Sequence, residues 1–142
     1  MPANKRLNLI IDTNLWISFL ISNRQDRLDH LLLIERVRIL CSLELLDELS
    51  ATISKPKLKK YFGANALNEM LLTLDPFIDF VDVRSAVSIC RDLKDNFLLA
   101  LAKDGRADFL LTGDNDLLDL KKFGKTRIVT VATFLENVNK ES

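Results

Sequence analysis

The sequence predicts an α/β fold in which a parallel sheet is covered by helices on both faces. Three observations carry this expectation. Five short apolar, strand-like runs alternate with longer segments of helical spacing, the pattern of strands joined by helical crossovers. Two of the runs, LNLII and DFLL, are nearly continuous in apolar residues, as expected for strands buried on both faces. The strand at 7–12 ends in an aspartate and the strand at 108–112 is followed by one, which places polar groups at the carboxyl ends, where such sheets bind ligands.

Bulk properties narrow the class. A chain of 142 residues, 48% hydrophobic, is long enough for a sizeable core and too apolar to be disordered, and we expect one domain over 1–142. Twenty basic residues balance 20 acidic ones, so contact with nucleic acid has to come from a local patch. Cys41 and Cys90 lack metal-ligand or CxxC spacing and fit free thiols in a reducing compartment. The stretch MPANKRLNLIID has no apolar signal region, and no run approaches the ~18 apolar residues of a membrane span. The expectation is a cytoplasmic protein without a membrane partner.

In order, LNLIID (7–12) reads as the first strand, with Thr13 and Asn14 as cap-type residues before the helix LWISFLIS. A polar break at 23–26 precedes a second helix over 27–36. Val37, Ile39 and Leu40 suggest a strand ending near Cys41. Ser42 is the expected N-cap of LELLDELSATIS, whose stripe Leu45, Leu46, Leu49 and Ile53 faces the core. Pro56 stops that helix. The dense basic segment KPKLKKYF follows, then the helical ANALNEMLLTL. FIDFVDV (77–83) alternates as a third strand, and SAVSICRDL is a short helix or a loop. A helix over 96–104, closed by Gly105, leads to a strand over 108–112. A short helix over 115–121, a strand RIVTV and a terminal helix ATFLENVNK complete the chain. No linker or repeat interrupts it.

The chemistry rests on carboxylates: Asp12, Glu48, Asp95 and Asp114, with Asp92 and Asp116 nearby. Several carboxylates in one pocket repel unless a cation offsets them, and oxygen-only ligands favour Mg2+ or Mn2+ over zinc. Such an ion leaves room for a phosphate oxygen and activates water for attack on phosphorus. Each acid taken singly is also an ordinary helix cap. Asp12 stands apart in that Thr13 or Asn14 could cap its helix instead, and Glu48 in that it sits mid-helix. Other chemistries lack their residues. His30 is the only histidine and lies in a Leu-rich helix. There is no P-loop and no GxGxxG, and Asn14 stands where an aspartyl phosphatase would need a second acid.

The segments LIIDTNLWIS, LLDEL, RDLKDNFLLALA and ADFLLTGDNDLL, in that order, make the chain resemble the PIN-domain family, in the ribonuclease branch found in toxin–antitoxin pairs. The resemblance spans about residues 6–137. It implies a three-layer α/β/α sandwich with a parallel five-stranded sheet ordered 3-2-1-4-5. It also implies an endoribonuclease dependent on Mg2+ or Mn2+ and acting on single-stranded or structured RNA. The family's four acids match Asp12, Glu48, Asp95 and Asp114. Asp12, Asp95 and Asp114 would hold the ion, with Glu48 acting directly or through water and Asp116 a further candidate ligand. Asn14, Asp92, Asn96 and Thr112 match supporting positions. Leu93 stands where the family often has proline.

Three expectations concern partners. Lys57, Lys59 and Lys60 are candidate RNA phosphate contacts, against the alternative of a solvated helix. Trp16 and Phe19 could support a homodimer, although core packing explains them equally simply. A different class of function is a binding module that docks an antitoxin or another protein and has little or no nuclease activity.

Overall fold

Residues 6–21, 25–34, 36–63, 65–87 and 95–141 are described in a computed structural model. The elements are β1 (Leu7–Ile11), α1 (Thr13–Ile21), α2 (Gln25–Leu32), β2 (Val37–Cys41), α3 (Leu43–Ile53), α4 (Pro56–Lys59) and α5 (Ala66–Leu74). A 3-10 turn (Asp75–Phe77) then leads to β3 (Ile78–Phe80), α6 (Asn96–Gly105), β4 (Phe109–Leu111), α7 (Asn115–Leu118), β5 (Lys122–Phe123), β6 (Thr126–Val129) and α8 (Val131–Glu141).

The strands form one sheet in the order β3-β2-β1-β4-β6-β5. All neighbours are parallel except β5 and β6. The expected frame 3-2-1-4-5 is therefore present as β3-β2-β1-β4-β6, and one short antiparallel strand is added at its edge. Consecutive strand residues point to opposite faces. Leu9, Ile10 and Ile11 all have 0% exposure, so helices cover both faces of the central strand. Trp16 and Phe19 are buried, which leaves the homodimer expectation without the two residues that motivated it.

The extra strand corrects the sequence expectation of one helix over 115–121. α7 stops at Leu118, and Lys121 adopts φ 62, a left-handed conformation that ends helical propagation. The chain then reverses through Gly124–Lys125, where Gly124 has φ 59, the sign that two-residue hairpin turns require. Exposed lysines at 121, 122 and 125 protect the free edge from further pairing. The third strand is also shorter than 77–83. Asp75–Pro76–Phe77 turns before it, and past β3 only Val81 continues the ladder, its N–H reaching the Cys41 carbonyl at 2.9 Å. β2 ends there, so the rest of FIDFVDV has no partner strand. Of SAVSICRDL, 85–87 follow without regular structure and 88–93 lie outside the described residues.

Two further details of the core differ from expectation or explain it. Gly105 is the last residue of α6 rather than the residue that closes it, and Arg106 takes the left-handed cap at φ 54. What Gly105 provides is closeness: a Cβ there would lie 2.7 Å from Leu40 Cδ1. Cys41 is a buried free thiol, pushed up to about 11 by burial, as expected for an inert core cysteine; Cys90 lies outside the described residues.

In the middle of β3, level with Leu40 of β2, Asp79 is gripped by two cations. Arg38 Nη2 donates to Asp79 Oδ1 at 2.5 Å, Arg6 pairs with Oδ2, and Arg38 also donates to the Pro76 carbonyl. The Arg38 hydrogen bond, with the charges of Arg38 and Arg6, holds the Asp79 carboxyl below its usual range. A depressed carboxylate stabilises the fold above its unfolded pKa of about 3.9, and that contribution vanishes as pH falls through the folded value. Asp79→Asn should therefore lower stability by about 1 kcal/mol at pH 7, with the difference from wild type closing in acid-titrated melts below pH ~4. Arg106→Gly should do the opposite. It removes left-handed strain at a modest entropic cost, and urea denaturation should show a gain of about 0.5–1 kcal/mol.

Candidate active site

The site is built from strand register. Ile11 lies beside Leu111, and Leu111 beside Val129. The ladder runs one residue further, through Asp12 N–H to the Leu111 carbonyl at 3.1 Å and Thr112 N–H to the Val129 carbonyl at 3.1 Å. The next residue of each central strand is thus polar and stands in one row at the carboxyl edge: Ser42, Asp12, Thr112 and Thr130. Three of them cap the helix that follows. Ser42 Oγ accepts from Leu45 N–H at 3.2 Å, as expected from the sequence, and Thr130 Oγ1 accepts from Thr133 N–H.

Asp12 is the third cap, and this corrects the expectation that Thr13 or Asn14 would do that work. Asp12 Oδ1 accepts from Asn14 N–H at 2.7 Å and Leu15 N–H at 3.2 Å, the bonds of an N-cap side chain. Thr13 and Asn14 cannot make them because both already lie inside α1. Asp12 Oδ2 accepts the hydroxyl of Thr112 at 2.5 Å, and Thr112 Oγ1 in turn accepts Asp114 N–H at 3.0 Å. Asp114 Oδ1 accepts Asp116 N–H at 2.9 Å, capping α7. Asp12, Thr112, Asp114 and Asp116 are thereby joined in one hydrogen-bonded chain across the seam between β1 and β4.

Asp12 is only 5% exposed and Thr112 1%. All of Asp12's donors are neutral, and no ion pair reaches it among the described residues. The positive end of α1 offsets part of its charge. Thr13 Oγ1, on the adjacent residue, is buried with no hydrogen-bond partner among the described residues. Such a group in a native site is commonly satisfied by water or a ligand. Asp114 Oδ2 accepts no hydrogen bond among the described residues. An all-oxygen donor set with a buried, uncompensated carboxylate is chemically suited to a hard divalent cation.

The other expected residues are placed as follows. Asn14 contributes its backbone N–H, while its side chain is exposed. Glu48 is exposed on α3, next to buried Leu49, and α3 packs against both α1 and α6. Asp95 stands at the N-cap of α6 with Oδ2 buried, and Asn96 beside it is 9% exposed. Lys57, Lys59 and Lys60 are exposed on and just after α4. Asp92 and Leu93 lie outside the described residues. Among the described residues, no three acidic, histidine or cysteine side chains come together closely enough to hold a metal ion.

Two features were not foreseen. Asp104, on the last turn of α6, accepts from the Ser85 hydroxyl and from the N–H groups of Ser85 and Arg84. These bonds, the Ser85 hydroxyl first, hold its carboxyl below the usual range. No sequence signal pairs positions so far apart. An apolar groove of about 790 Å³ lies among α1, α2, α3 and α5, lined by Leu28, Leu32, Leu49, Ile53, Phe62 and Met70, with Asp29 and Glu69 as acids. Of its residues, Leu49 and Ile53 read in the sequence as part of the core-facing stripe of α3.

Known proteins extend these observations. The chain is 28% identical over 123 residues to the uncharacterized protein MJ1680 of Methanocaldococcus jannaschii, a match covering 84% of this chain and 79% of that one. A family profile described as PIN domain matches residues 8–116, from β1 through Asp116. The match takes in the β1–β4 seam and every acid discussed above, and the chain belongs to the PIN domain family.

Proposed function

We propose that this chain is a divalent-metal-dependent endoribonuclease, a cytoplasmic protein acting as the toxin of a toxin–antitoxin pair. The family is one of nucleases, which supports hydrolysis of a nucleic-acid phosphodiester. The observation that carries the finer proposal is the buried Asp12 carboxylate, linked through Thr112 to Asp114 with no cationic side chain against it. Asp12, Asp95 and Asp114 would hold Mg2+ or Mn2+, Glu48 would act directly or through water, and Asp116 is a further candidate. When bound, the ion would supply Lewis-acid polarisation of the scissile phosphate and a lowered pKa for the attacking water. The protein's part is orientation. Thr112 and the first turn of α1 fix both oxygens of Asp12, and the α7 cap fixes Asp114. Asn14, Asn96 and Asp92 would support these ligands, and Lys57, Lys59 and Lys60 would meet RNA phosphates.

A second reading, favoured by the apolar groove, is a binding module. An antitoxin segment folding as an amphipathic helix would lay its apolar side chains in the groove and a Lys or Arg against Asp29 or Glu69. A toxin would use both surfaces, one to cut and one to be restrained.

Asp12→Asn keeps an oxygen for the α1 cap, so the variant should fold with an unchanged circular dichroism spectrum. It should lose Mg2+- or Mn2+-dependent cleavage of RNA, and full cleavage by the variant would sink the assignment. Mn2+ at about 100-fold its dissociation constant should stabilise the wild type by roughly 2.7 kcal/mol, and this rise in melting temperature should be absent in Asp12→Asn. Thr112→Val strands the buried Asp12 oxygen and the Asp114 N–H together. It should cost about 1–3 kcal/mol in denaturant melts and slow cleavage, while Thr112→Ser should restore most of both.

A further inference from the structure

We propose that Tyr61 and the lysines around it form a stacking platform for single-stranded nucleic acid, held by α4 beside the carboxylate-bearing helix α3. The proposal rests on the nuclease reading and specifies how that site would receive its substrate. The chain has no net charge, so attraction of a polyanion depends on local concentration of cations. The segment 49–68 contains Lys55, Lys57, Lys59 and Lys60 and no acidic residue. All four lysines are exposed, and none of them forms an ion pair among the described residues.

The local fold makes this display rigid. Pro56 opens α4, the Lys55 carbonyl accepts Leu58 and Lys59 N–H at 2.9 Å, and the Tyr61 N–H reaches the Leu58 carbonyl at 2.9 Å. Leu58 packs on the core and Phe62 enters the apolar groove. With those two side chains turned inward, Lys57, Lys59, Lys60 and Tyr61 are left outside. Tyr61 is 55% exposed, and Lys60 Nζ lies 5.1 Å from its ring centroid. An ammonium over a ring that is about half exposed is an arrangement in which a base can stack while its phosphate meets the cation. Duplex bases are already stacked within their helix, so the ring selects unpaired strands.

The position fits delivery to the sheet edge. α4 packs against α3, and Lys55 lies seven positions after Glu48, just past the end of α3 at Ile53. Glu44, Asp47 and Glu48 are exposed on the first half of α3 and repel phosphate, so the platform must bind without help from that half. Its binding is therefore independent of any divalent cation. An acidic peptide would be drawn by the lysines but would gain little from the ring, which is why nucleic acid is the favoured occupant.

The test uses the full chain in EDTA, with fluorescence anisotropy of a labelled oligouridylate 12-mer, a duplex of equal length and polyglutamate. The single strand should bind most tightly. Tyr61→Leu should weaken it by about tenfold, and Tyr61→Phe should restore it. The triple change Lys57→Ser, Lys59→Ser, Lys60→Ser should flatten the log–log salt slope by about 2. In EDTA the wild type should bind without cutting, and cleavage is read separately with Mn2+ added, so failed cleavage and failed binding are separate results. Equal affinity of Tyr61→Leu and wild type would overturn the platform. So would duplex or polyglutamate binding as tightly as the single strand.

Discussion

The hydrogen bond between Thr112 and Asp12 is the interaction on which the carboxyl edge of this sheet depends. It joins β1 to β4 one residue beyond the last paired strand residues, where backbone pairing alone is giving out. Each partner does a second task. Asp12 holds the first turn of α1, and Thr112 positions the N–H of Asp114. A buried carboxylate is expensive unless it is fully hydrogen-bonded, and here both oxygens are engaged by neutral donors. The Asp12–Thr112–Asp114 chain is therefore held in place by the fold itself.

The same architecture separates charge along the strand direction, which a net charge of zero conceals. The carboxyl edge carries Asp12, Asp114 and Asp116, with Glu44 and Glu48 on the adjoining helix. The amino edge carries Arg6 before β1, Arg106 before β4, and Lys125 and Arg127 around the start of β6. Cations from that side are matched: Arg6 and Arg38 reach Asp79 in the middle of β3, and Lys125 lies 3.5 Å from Asp108, which also accepts Asn8 N–H. At the carboxyl edge no cation among the described residues performs this service for Asp12. Matched charges tie strands together, whereas a buried carboxylate with no cationic side chain against it among the described residues, as at Asp12, favours a cation.

How much of this was legible in the sequence follows from the range of each interaction. LNLIID and DFLLT announced β1 and β4 through local apolar pattern, and Ser42 announced the start of α3 through cap chemistry that spans three residues. The sheet order came from resemblance to a family, because parallel register is set by contacts about a hundred residues apart, such as Thr112 with Asp12. The strand β5 was hidden because two residues carry no periodicity and its hairpin depends on the backbone angles of Lys121 and Gly124. Arg106 was missed as a helix cap because Gly105 beside it matched the usual signal, although packing on Leu40 already required glycine there. The choice of Asp12 over Thr13 as cap turned on where the first helical residue falls, a distinction of one position that sequence pattern does not resolve.

α3 connects the two halves of the functional argument. Its N-terminus is pinned at the sheet edge by Ser42, level with Asp12, and its C-terminus runs into the lysine segment through the Ser54 turn. Leu45 and Leu49 anchor it on the core and turn Glu44, Asp47 and Glu48 outward. A polyanion lying along this helix is drawn to its lysine end and repelled by its acidic end unless a cation is present there. Binding and cutting would then have opposite requirements: one needs only the lysines and Tyr61, and the other also needs the acidic half neutralised. On the proposed function, such a division would let a strand be captured at one end of α3 while cleavage waited on metal at the other. On that reading Glu48, exposed on α3, would stand between capture and chemistry.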